Sequence, residues 1–313
     1  MPMAQKKKRK SQAPIALVYF VTMIVFLVII GLVAFYMLKK TGVIDDGKNK
    51  TDAVTENPTY NTFFARINSK DVLVEMLVMR VAPDAQQIVV IPVSAFTVNE
   101  SGQTLREVYE SQGLKKVENT VSDMLGIEFN NYATVSNTAF ETICDIIGGI
   151  AYAPDEELYY LSQDNDENDI SLPAGELSQL SGRQIRLLCQ YPVFSDGRGG
   201  NMKFLGTAME SLINNAFQQT ALTKDNLDNI YNLITGNSNT DWTKEQFIQE
   251  KMKIRDMLDL RLAPGKAMIP DGEWTDETHF KMNQEFIDSV KQMLTDTAGS
   301  YTEKDSSYTE KDK

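Results

Sequence analysis

The residues best suited to chemistry lie in one glycine-rich segment, Gly-Arg-Gly-Gly-Asn at positions 197–201, which directly follows Asp196. A helical pattern begins after it, so Arg198 and the backbone N–H groups of a helix N-terminus would lie together. Donors arranged in this way bind anions, in particular phosphate. The alternative is an ordinary glycine turn in which Asn201 caps the following helix.

A second candidate cation, Arg106, lies on a predicted helix earlier in the chain. It would either join Arg198 in an anion pocket or point into solvent, as most arginines do. The carboxylates that could accompany such a pocket are Asp71, Glu75 and Asp196.

Histidine and cysteine are too scarce for several classes of site. The single histidine, His279, lies in a polar stretch that favours a surface or half-buried side chain over a catalytic one. Two cysteines are too few for a zinc ribbon. Cys144 and Cys189 would either form a disulfide in an oxidising exterior or remain two buried thiols.

An acidic loop carries the alternating oxygen donors of a calcium loop at Asp164, Asp166 and Asn168. However, Asp169 stands where an EF-hand has glycine, and Gly175 stands where it has glutamate. The sequence therefore favours no calcium site in this loop.

The charge of the chain is unevenly distributed. Residues 1–40 carry seven of the 31 basic residues and no acidic one, which leaves 24 basic against 43 acidic residues in the rest. A surface this acidic repels nucleic acid, whose binding proteins display basic patches. We therefore expect no nucleic-acid partner for the main part of the chain.

The N-terminal region predicts a membrane anchor. Residues 15–38 are 24 consecutive uncharged residues, and as a helix with about 1.5 Å rise per residue they would cross a bilayer. The basic cluster at 6–10 predicts a cytoplasmic N-terminus and an outward-facing domain. The predicted organisation is a cytoplasmic tail at 1–14, a transmembrane helix at 15–38, a linker at 39–66, an extracytoplasmic domain at 67–296 and a disordered tail at 297–313.

The predicted domain alternates strand and helix patterns. Two β-rich runs, at 72–81 and 87–93, flank a turn at Pro83-Asp84 and predict a hairpin or an adjacent strand pair. Helical spacing follows over 105–125. Further strands are predicted at 132–135, at 150–152 and around Cys189, and further helices at 139–147, 202–212, 227–234, 245–258 and 283–294. The sequence thus predicts an α/β domain whose helices cover a mixed sheet.

Three collinear segments resemble the LytR-CpsA-Psr family of membrane-anchored extracytoplasmic proteins. Each contains a glycine-bearing turn, and the likeness extends over roughly residues 66–296. The segments are Thr104 to Ile127, Asp145 to Ile150, and Leu172 to Gly175 followed by Leu180-Ser181-Gly182, and Gly197-Arg198 continues the series. The resemblance implies an α/β/α fold with a mixed central sheet.

The resemblance also implies a ligand and a reaction. Family members hold a polyprenyl pyrophosphate in a hydrophobic tunnel and, with Mg²⁺, transfer a glycan phosphate to peptidoglycan or another envelope acceptor. The implied partners are therefore a membrane lipid and the cell-wall glycopolymer machinery, and the ligand-binding candidates are Arg198, Arg106 and Asp196. Apolar strand positions at 76–79 and 89–91 would first form the core, and some would border the tunnel.

Several charged positions of the family are uncharged here. The family's Pro-Arg-Asp reads Pro92-Val93-Ser94, its Arg-x-Arg pair falls on Gln190 and Pro192, and Arg198 alone remains of the arginines in Asp-x-Gly-Arg-x-x-Arg-Gln. A single charge-stabilising donor can contribute about 2.7 to 4 kcal/mol to a transition state, so these losses predict a protein without the family's catalysis and without a required cofactor.

The sequence thus favours a lipid-binding or scaffold protein of the bacterial envelope. The alternative is an active Mg²⁺-dependent phosphotransferase in which Asp71, Glu75, Arg106, Asp196 and Arg198 replace the missing groups. Convergence of both arginines with two carboxylates at the mouth of an apolar tunnel would favour the enzyme, whereas scattered charges would favour the scaffold.

Overall fold

The computed structural model describes residues 59–163, 168–236 and 239–296. The predicted cytoplasmic tail, the transmembrane segment at 15–38, the C-terminal tail at 297–313, and Asp164 and Asp166 of the acidic loop lie outside these ranges. Among the described helices, none combines the length and apolarity that a membrane span requires.

The domain is built on a five-stranded mixed sheet with the strand order β4-β1-β2-β3-β9. The β1–β2 and β2–β3 pairs are antiparallel, and β4 and β9 add in parallel at the two edges. The strands are β1 Tyr60–Ile67, β2 Leu73–Ala82, β3 Gln87–Ser94, β4 Asn131–Val135 and β9 Gly265–Ala267. The predicted mixed sheet is confirmed, as is the hairpin, in which Ala82 pairs with Gln87 across the turn.

The folded domain begins earlier than the sequence predicts. The linker predicted at 39–66 includes residues 60–66, but these form most of β1, which lies between β4 and β2 and buries Phe63 and Ala65 completely. The polar residues Asn61, Thr62 and Arg66 make this strand resemble a linker in composition. Its apolar and polar residues do not alternate regularly, because a strand inside a mixed sheet can be buried on both faces.

Helices flank the sheet, and three two-stranded ribbons complete the domain. The helices are α1 Leu105–Gln112, α2 Leu114–Leu125, α3 Asn137–Ile147, α4 Gly182–Leu188, α5 Arg198–Gln218, α6 Thr220–Thr235, α7 Lys244–Asp259 and α8 Gln284–Asp296. The ribbons pair β5 Ile150–Tyr152 with β8 Ser178–Leu180, β6 Leu158–Tyr160 with β7 Ile170–Leu172, and β10 Gly272–Asp276 with β11 His279–Met282.

Two local predictions differ from the structure. The helical run over 105–125 divides at Gly113, whose φ of +77° is incompatible with a continuous α-helix. Cys189 ends α4 as its C-cap residue and is not on a strand. The preceding Ser181 caps α4 through a capping box with Gln184, which favours a helix over the predicted strand.

The domain has three layers because successive side chains of a strand point to opposite faces of the sheet. Phe63, Val78 and Ile91 pack with α1, α2 and α8, whereas Phe64 and Met79 face α6 and α7. The result is the α/β/α arrangement that the resemblance implied.

Candidate functional site

An apolar cavity of about 290 Å³ lies between the sheet and the layer formed by α3, α5, α6 and α7. On the sheet side it is lined by β1 and β2, including Phe64, Met76, Leu77 and Met79. Some of positions 76–79 and 89–91 are predicted to border a tunnel, and of these Met76, Leu77 and Met79 line the cavity, whereas β3 contributes only Ile88. β3 contributes less because it lies next to the edge strand β9, beyond β2.

A larger, polar cavity of about 740 Å³ lies where β2 begins and β3 ends. Four of the positions at which the sequence departs from the family's charged residues line it, as do the three predicted ligand-binding residues. These are Val93, Ser94, Gln190 and Pro192, together with Arg106, Asp196 and Arg198. The fold therefore brings together residues from α1, β3 and the segment before α5, up to about a hundred positions apart in sequence.

Two guanidinium groups meet at Phe96 in this polar cavity. The guanidinium carbon of Arg106 lies 4.4 Å from the centroid of the Phe96 ring, and that of Arg198 lies 4.2 Å from it. Each arginine is held by its Nε, which donates to a backbone carbonyl, that of Leu73 for Arg106 at 3.1 Å and that of Glu277 for Arg198 at 2.7 Å. Of the two alternatives for Arg106, the structure therefore has the one in which its side chain lies in the polar cavity with Arg198.

The electrostatics of this pair favour an anion. Burial and the nearby charge of Arg198 both lower the pKa of Arg106. Within the described ranges neither arginine forms an ion pair with a carboxylate. Because both arginines line the polar cavity, a phosphate bound there would relieve the repulsion between their charges.

The glycine segment contributes less than the sequence predicts. Asn201 lies inside α5 and does not cap it, and its side chain donates to the carbonyl of Tyr191 at 2.8 Å. The N-cap residue is Gly197, while the amides of Gly199 and Gly200 already donate within the turn. The guanidinium of Arg198, not this set of amides, is the group available to a ligand.

An ion pair lies at the boundary between the two cavities. Glu75 and Leu205 line both cavities, and Arg66 lines the apolar one. Arg66 donates through Nε to Glu75 and through Nη1 to Asn137, each at 2.7 Å. Burial opposes the charge of Arg66, but the attraction of Glu75 outweighs it and raises the pKa of Arg66. Sequence reasoning missed Arg66 because it lay in the predicted linker.

The carboxylates do not fit the Mg²⁺ that an active family enzyme would need. Glu75 is paired with Arg66, and Asp71 lies outside the polar cavity, where it accepts a hydrogen bond from Tyr109 at 2.6 Å. Asp276 binds Thr278 and His279, and hydrogen bonding to His279 lowers the pKa of Asp276 to about 2. Over the described residues, acidic, histidine and cysteine side chains form no cluster suited to a metal ion.

The remaining candidates from the sequence are the two cysteines and His279. Cys144 and Cys189 are buried free thiols, and burial raises the pKa of both, that of Cys144 to about 12. The alternative of two buried thiols is therefore the one found. His279 is half-buried, as predicted, and lies against Asp276.

The domain thus combines an α/β/α fold with an apolar cavity that adjoins an arginine-lined polar cavity. The sequence profile of the LytR_cpsA_psr family matches residues 76–296, and this chain belongs to that family. No curated protein gives a significant sequence match.

Solved structures share the fold at low sequence identity. A protein from Eubacterium siraeum is 16% identical with a TM-score of 0.69, covering 80% of this chain and 98% of its own. TagV of B. subtilis is 13% identical with a TM-score of 0.59, covering 76% and 96%. TagT bound to LIIa-WTA is 14% identical with a TM-score of 0.59, covering 78% and 92%.

Proposed function

We propose that this chain is a membrane-anchored, outward-facing protein that binds a polyprenyl phosphate or pyrophosphate without transferring its glycan, and acts as a scaffold in cell-wall polymer assembly. The isoprenoid chain would occupy the apolar cavity and the phosphate would lie between Arg106 and Arg198. The observation that carries this proposal is the meeting of both guanidiniums at Phe96 in a cavity that adjoins the apolar one.

The two cavities match the two parts of such a ligand. The apolar cavity is lined almost entirely by hydrophobic side chains, which suits a hydrocarbon chain. The polar cavity offers two guanidiniums, which bind phosphate through charge-assisted hydrogen bonds. TagT, whose fold is similar, is bound to LIIa-WTA in its solved structure.

Membrane anchoring is proposed from the sequence. The uncharged stretch at 15–38 and the basic cluster at 6–10 support a single span with the N-terminus inside. External protease added to intact cells should remove the tail at 300–313 and spare the N-terminus. A protected C-terminus with an accessible N-terminus would reverse this orientation.

Binding is tested with the full chain in nanodiscs, titrated with a polyprenyl phosphate and with the corresponding polyprenol. Arg198→Ala and Arg106→Ala should each weaken binding of the phosphate by roughly 10- to 100-fold, because a charged hydrogen bond contributes about 1.5 to 3 kcal/mol. Neither change should affect the polyprenol. Arg255→Ala, at an exposed position on α7, is the matched control. Equal loss in all three variants, or no binding at all, would refute the proposal.

A second candidate function, phosphotransfer, is favoured by one observation. The polar cavity that holds the two arginines is also lined by Asp196, one of the carboxylates of the enzyme alternative, and by Asp276 and Glu277. Phosphate release from a prenyl pyrophosphate that depends on Arg198 would establish this function in place of the scaffold.

A further inference from the structure

The polar cavity carries charges of both signs that are not paired with one another. Besides Arg106 and Arg198, it is lined by Asp196, Asp276 and Glu277. Within the described part of the chain, neither arginine forms an ion pair with a carboxylate. The carboxylates of Asp196 and Glu277 have no hydrogen-bond partner there either, and both side chains are exposed. Charges of both signs are therefore available to a ligand.

The free carboxylates lie on the side of the cavity that holds Arg198. Asp196 precedes Arg198 by two residues, and the backbone carbonyl of Glu277 accepts the Nε hydrogen bond of Arg198 at 2.7 Å. At Arg106, burial and the charge of Arg198 lower the pKa, and the carboxylate that opposes this shift is Glu110, which does not line the cavity. The cavity thus has a cationic side at Arg106 and a side of mixed charge at Arg198.

The ribbon of β10 and β11 adds another charge and an aromatic ring to the polar cavity. Hydrogen bonds from His279 and Thr278 lower the pKa of Asp276 to about 2, which keeps Asp276 charged at neutral pH. Trp274 lines the cavity beside Gly199, since a Cβ atom on Gly199 would lie 3.6 Å from the indole Nε1. Aromatic faces attract ammonium groups. Carboxylates and an aromatic ring together suit an organic cation.

A metal ion does not fit these carboxylates. Among the residues that the structure describes, no three acidic, histidine or cysteine side chains converge as metal ligands. An ammonium group, by contrast, donates separate hydrogen bonds and can be held by carboxylates that lie apart.

The charge balance of the cavity limits the anion that can accompany such a cation. Two positive side chains face three negative ones, because Glu75 is already balanced by Arg66. A pyrophosphate would add several negative charges to this excess. A phosphodiester adds a single one, and an ammonium on its second substituent cancels that charge. A zwitterionic head group therefore fits this cavity better than a pyrophosphate.

We propose that the polar cavity selects a phosphodiester whose second substituent carries an ammonium group. The phosphate would bind Arg106 and Arg198, and the ammonium would bind Asp196 and Glu277. Two kinds of lipid share this chemistry, an amino sugar linked to an isoprenoid phosphate and an ethanolamine phospholipid. The inference rests on the proposed phosphate site at the two arginines and specifies the head group that this site takes.

The test is isothermal titration calorimetry with the full chain in dodecyl maltoside, a detergent without phosphate or amine. Water-soluble phosphodiesters are compared in two pairs that differ in the ammonium group. Glycerophosphoethanolamine is paired with glycerophosphoglycerol, and the methyl phosphodiester of glucosamine with that of N-acetylglucosamine. In at least one pair the ammonium-bearing member should bind at least about fivefold more tightly. The pair that shows the larger preference identifies the source of the head group.

Two double variants assign the preference to its carboxylates. Asp196→Asn with Glu277→Gln should abolish it and should bind the members without ammonium at least as tightly as the parent, because negative charge beside the phosphate is removed. Asp155→Asn with Glu273→Gln is the matched control, since it makes the same change of charge at exposed positions that do not line the polar cavity. The control should keep the preference, whereas Arg106→Ala should weaken the binding of all four compounds.

The outcomes separate the ammonium subsite from the proposed function. Equal binding within both pairs would overturn the subsite and leave the phosphate site intact. A preference that survives in the variant of Asp196 and Glu277, or that disappears equally in the control, would also overturn it. If none of the four compounds binds but a polyprenyl phosphate does, the subsite fails and the proposed function stands. If the polyprenyl phosphate does not bind either, both fail.

Discussion

Glu75 accepts a 2.7 Å hydrogen bond from the Nε of Arg66 at the boundary between the apolar and the polar cavity. Their side chains are 12% and 3% exposed, and within the described residues the Nη2 group of Arg66 has no hydrogen-bond partner. The charge of Arg66 is therefore balanced chiefly by Glu75. This pairing withholds from the polar cavity a carboxylate that a metal-dependent enzyme would use.

We predict that Glu75→Gln destabilises the domain by about 3 kcal/mol, because it leaves a buried guanidinium without its counter-charge. Asp155→Asn is the control, since Asp155 forms an exposed ion pair with Lys203 and should cost less than about 0.5 kcal/mol. Urea denaturation measures both. The double variant Arg66→Met, Glu75→Met should recover much of the loss. A Glu75→Gln variant as stable as the control would show that Arg66 is compensated elsewhere.

The second prediction concerns pH. Burial raises the pKa of Glu250 to about 7, against hydrogen bonds from Trp242 and Asn131 that lower it. The folded state therefore keeps a proton that the unfolded state loses near pH 4.5, so this group makes stability fall as pH rises from about 4.5 to about 7.

Glu250→Gln should remove this pH dependence and stabilise the domain at pH 8 by about 1 to 3 kcal/mol. The amide can donate to the Oδ1 of Asn131, a buried atom that lacks a partner among the described residues. Thermal unfolding at pH 5 and pH 8 measures the effect, and Glu245→Gln, exposed on the same helix, is the control. A variant that is less stable than the parent at pH 8 would mean that the fold favours the charged carboxylate and that the pKa of Glu250 is not raised.

Sequence reasoning located Arg198, Asp196 and Arg106 but not their relationship. Arg106 and Arg198 are 92 positions apart, and Phe96, which joins them, follows β3 in a segment with no periodicity to mark it. Local patterns identified β2, β3 and most helices because these elements have regular apolar spacing. Local patterns missed Arg66, because only the register of β1 against β2 places it beside its partner Glu75.

Two of the glycines that carry the family resemblance, Gly149 and Gly182, are explained by close backbone contacts. A Cβ atom on Gly182 would overlap the backbone carbonyl of Glu141 on α3, whereas one on Gly199 would meet nothing closer than the Nε1 of Trp274 at 3.6 Å. Gly182→Ala should therefore destabilise the domain by about 2 kcal/mol or more. Gly199→Ala should be neutral or stabilise it by about 0.5 to 1 kcal/mol, because Gly199 lies in the first turn of α5.

Chemical denaturation of the two variants compares them directly. If Gly182→Ala proves as stable as Gly199→Ala, then α3 and α4 are free to separate and the close contact does not restrain the fold.

The last prediction is that prenyl pyrophosphate turnover stays at the background rate. Val93, Ser94, Gln190 and Pro192 line the polar cavity at positions where family members carry charge, and Glu75 is held by Arg66. Two guanidiniums can bind a phosphate, but the described residues of the cavity offer neither the additional cations nor the metal-binding cluster that phosphoryl transfer requires. The full chain in nanodiscs, given a prenyl pyrophosphate with Mg²⁺ or Mn²⁺, should release no more phosphate than a protein-free control.

The variant with Val93→Arg, Ser94→Asp, Gln190→Arg and Pro192→Arg restores charge at these four positions. It should release more phosphate than the protein-free control if the cavity has kept its shape. Release by the unmodified chain that disappears in Arg198→Ala would instead mean that the charges have been relocated, and would make this protein a transferase.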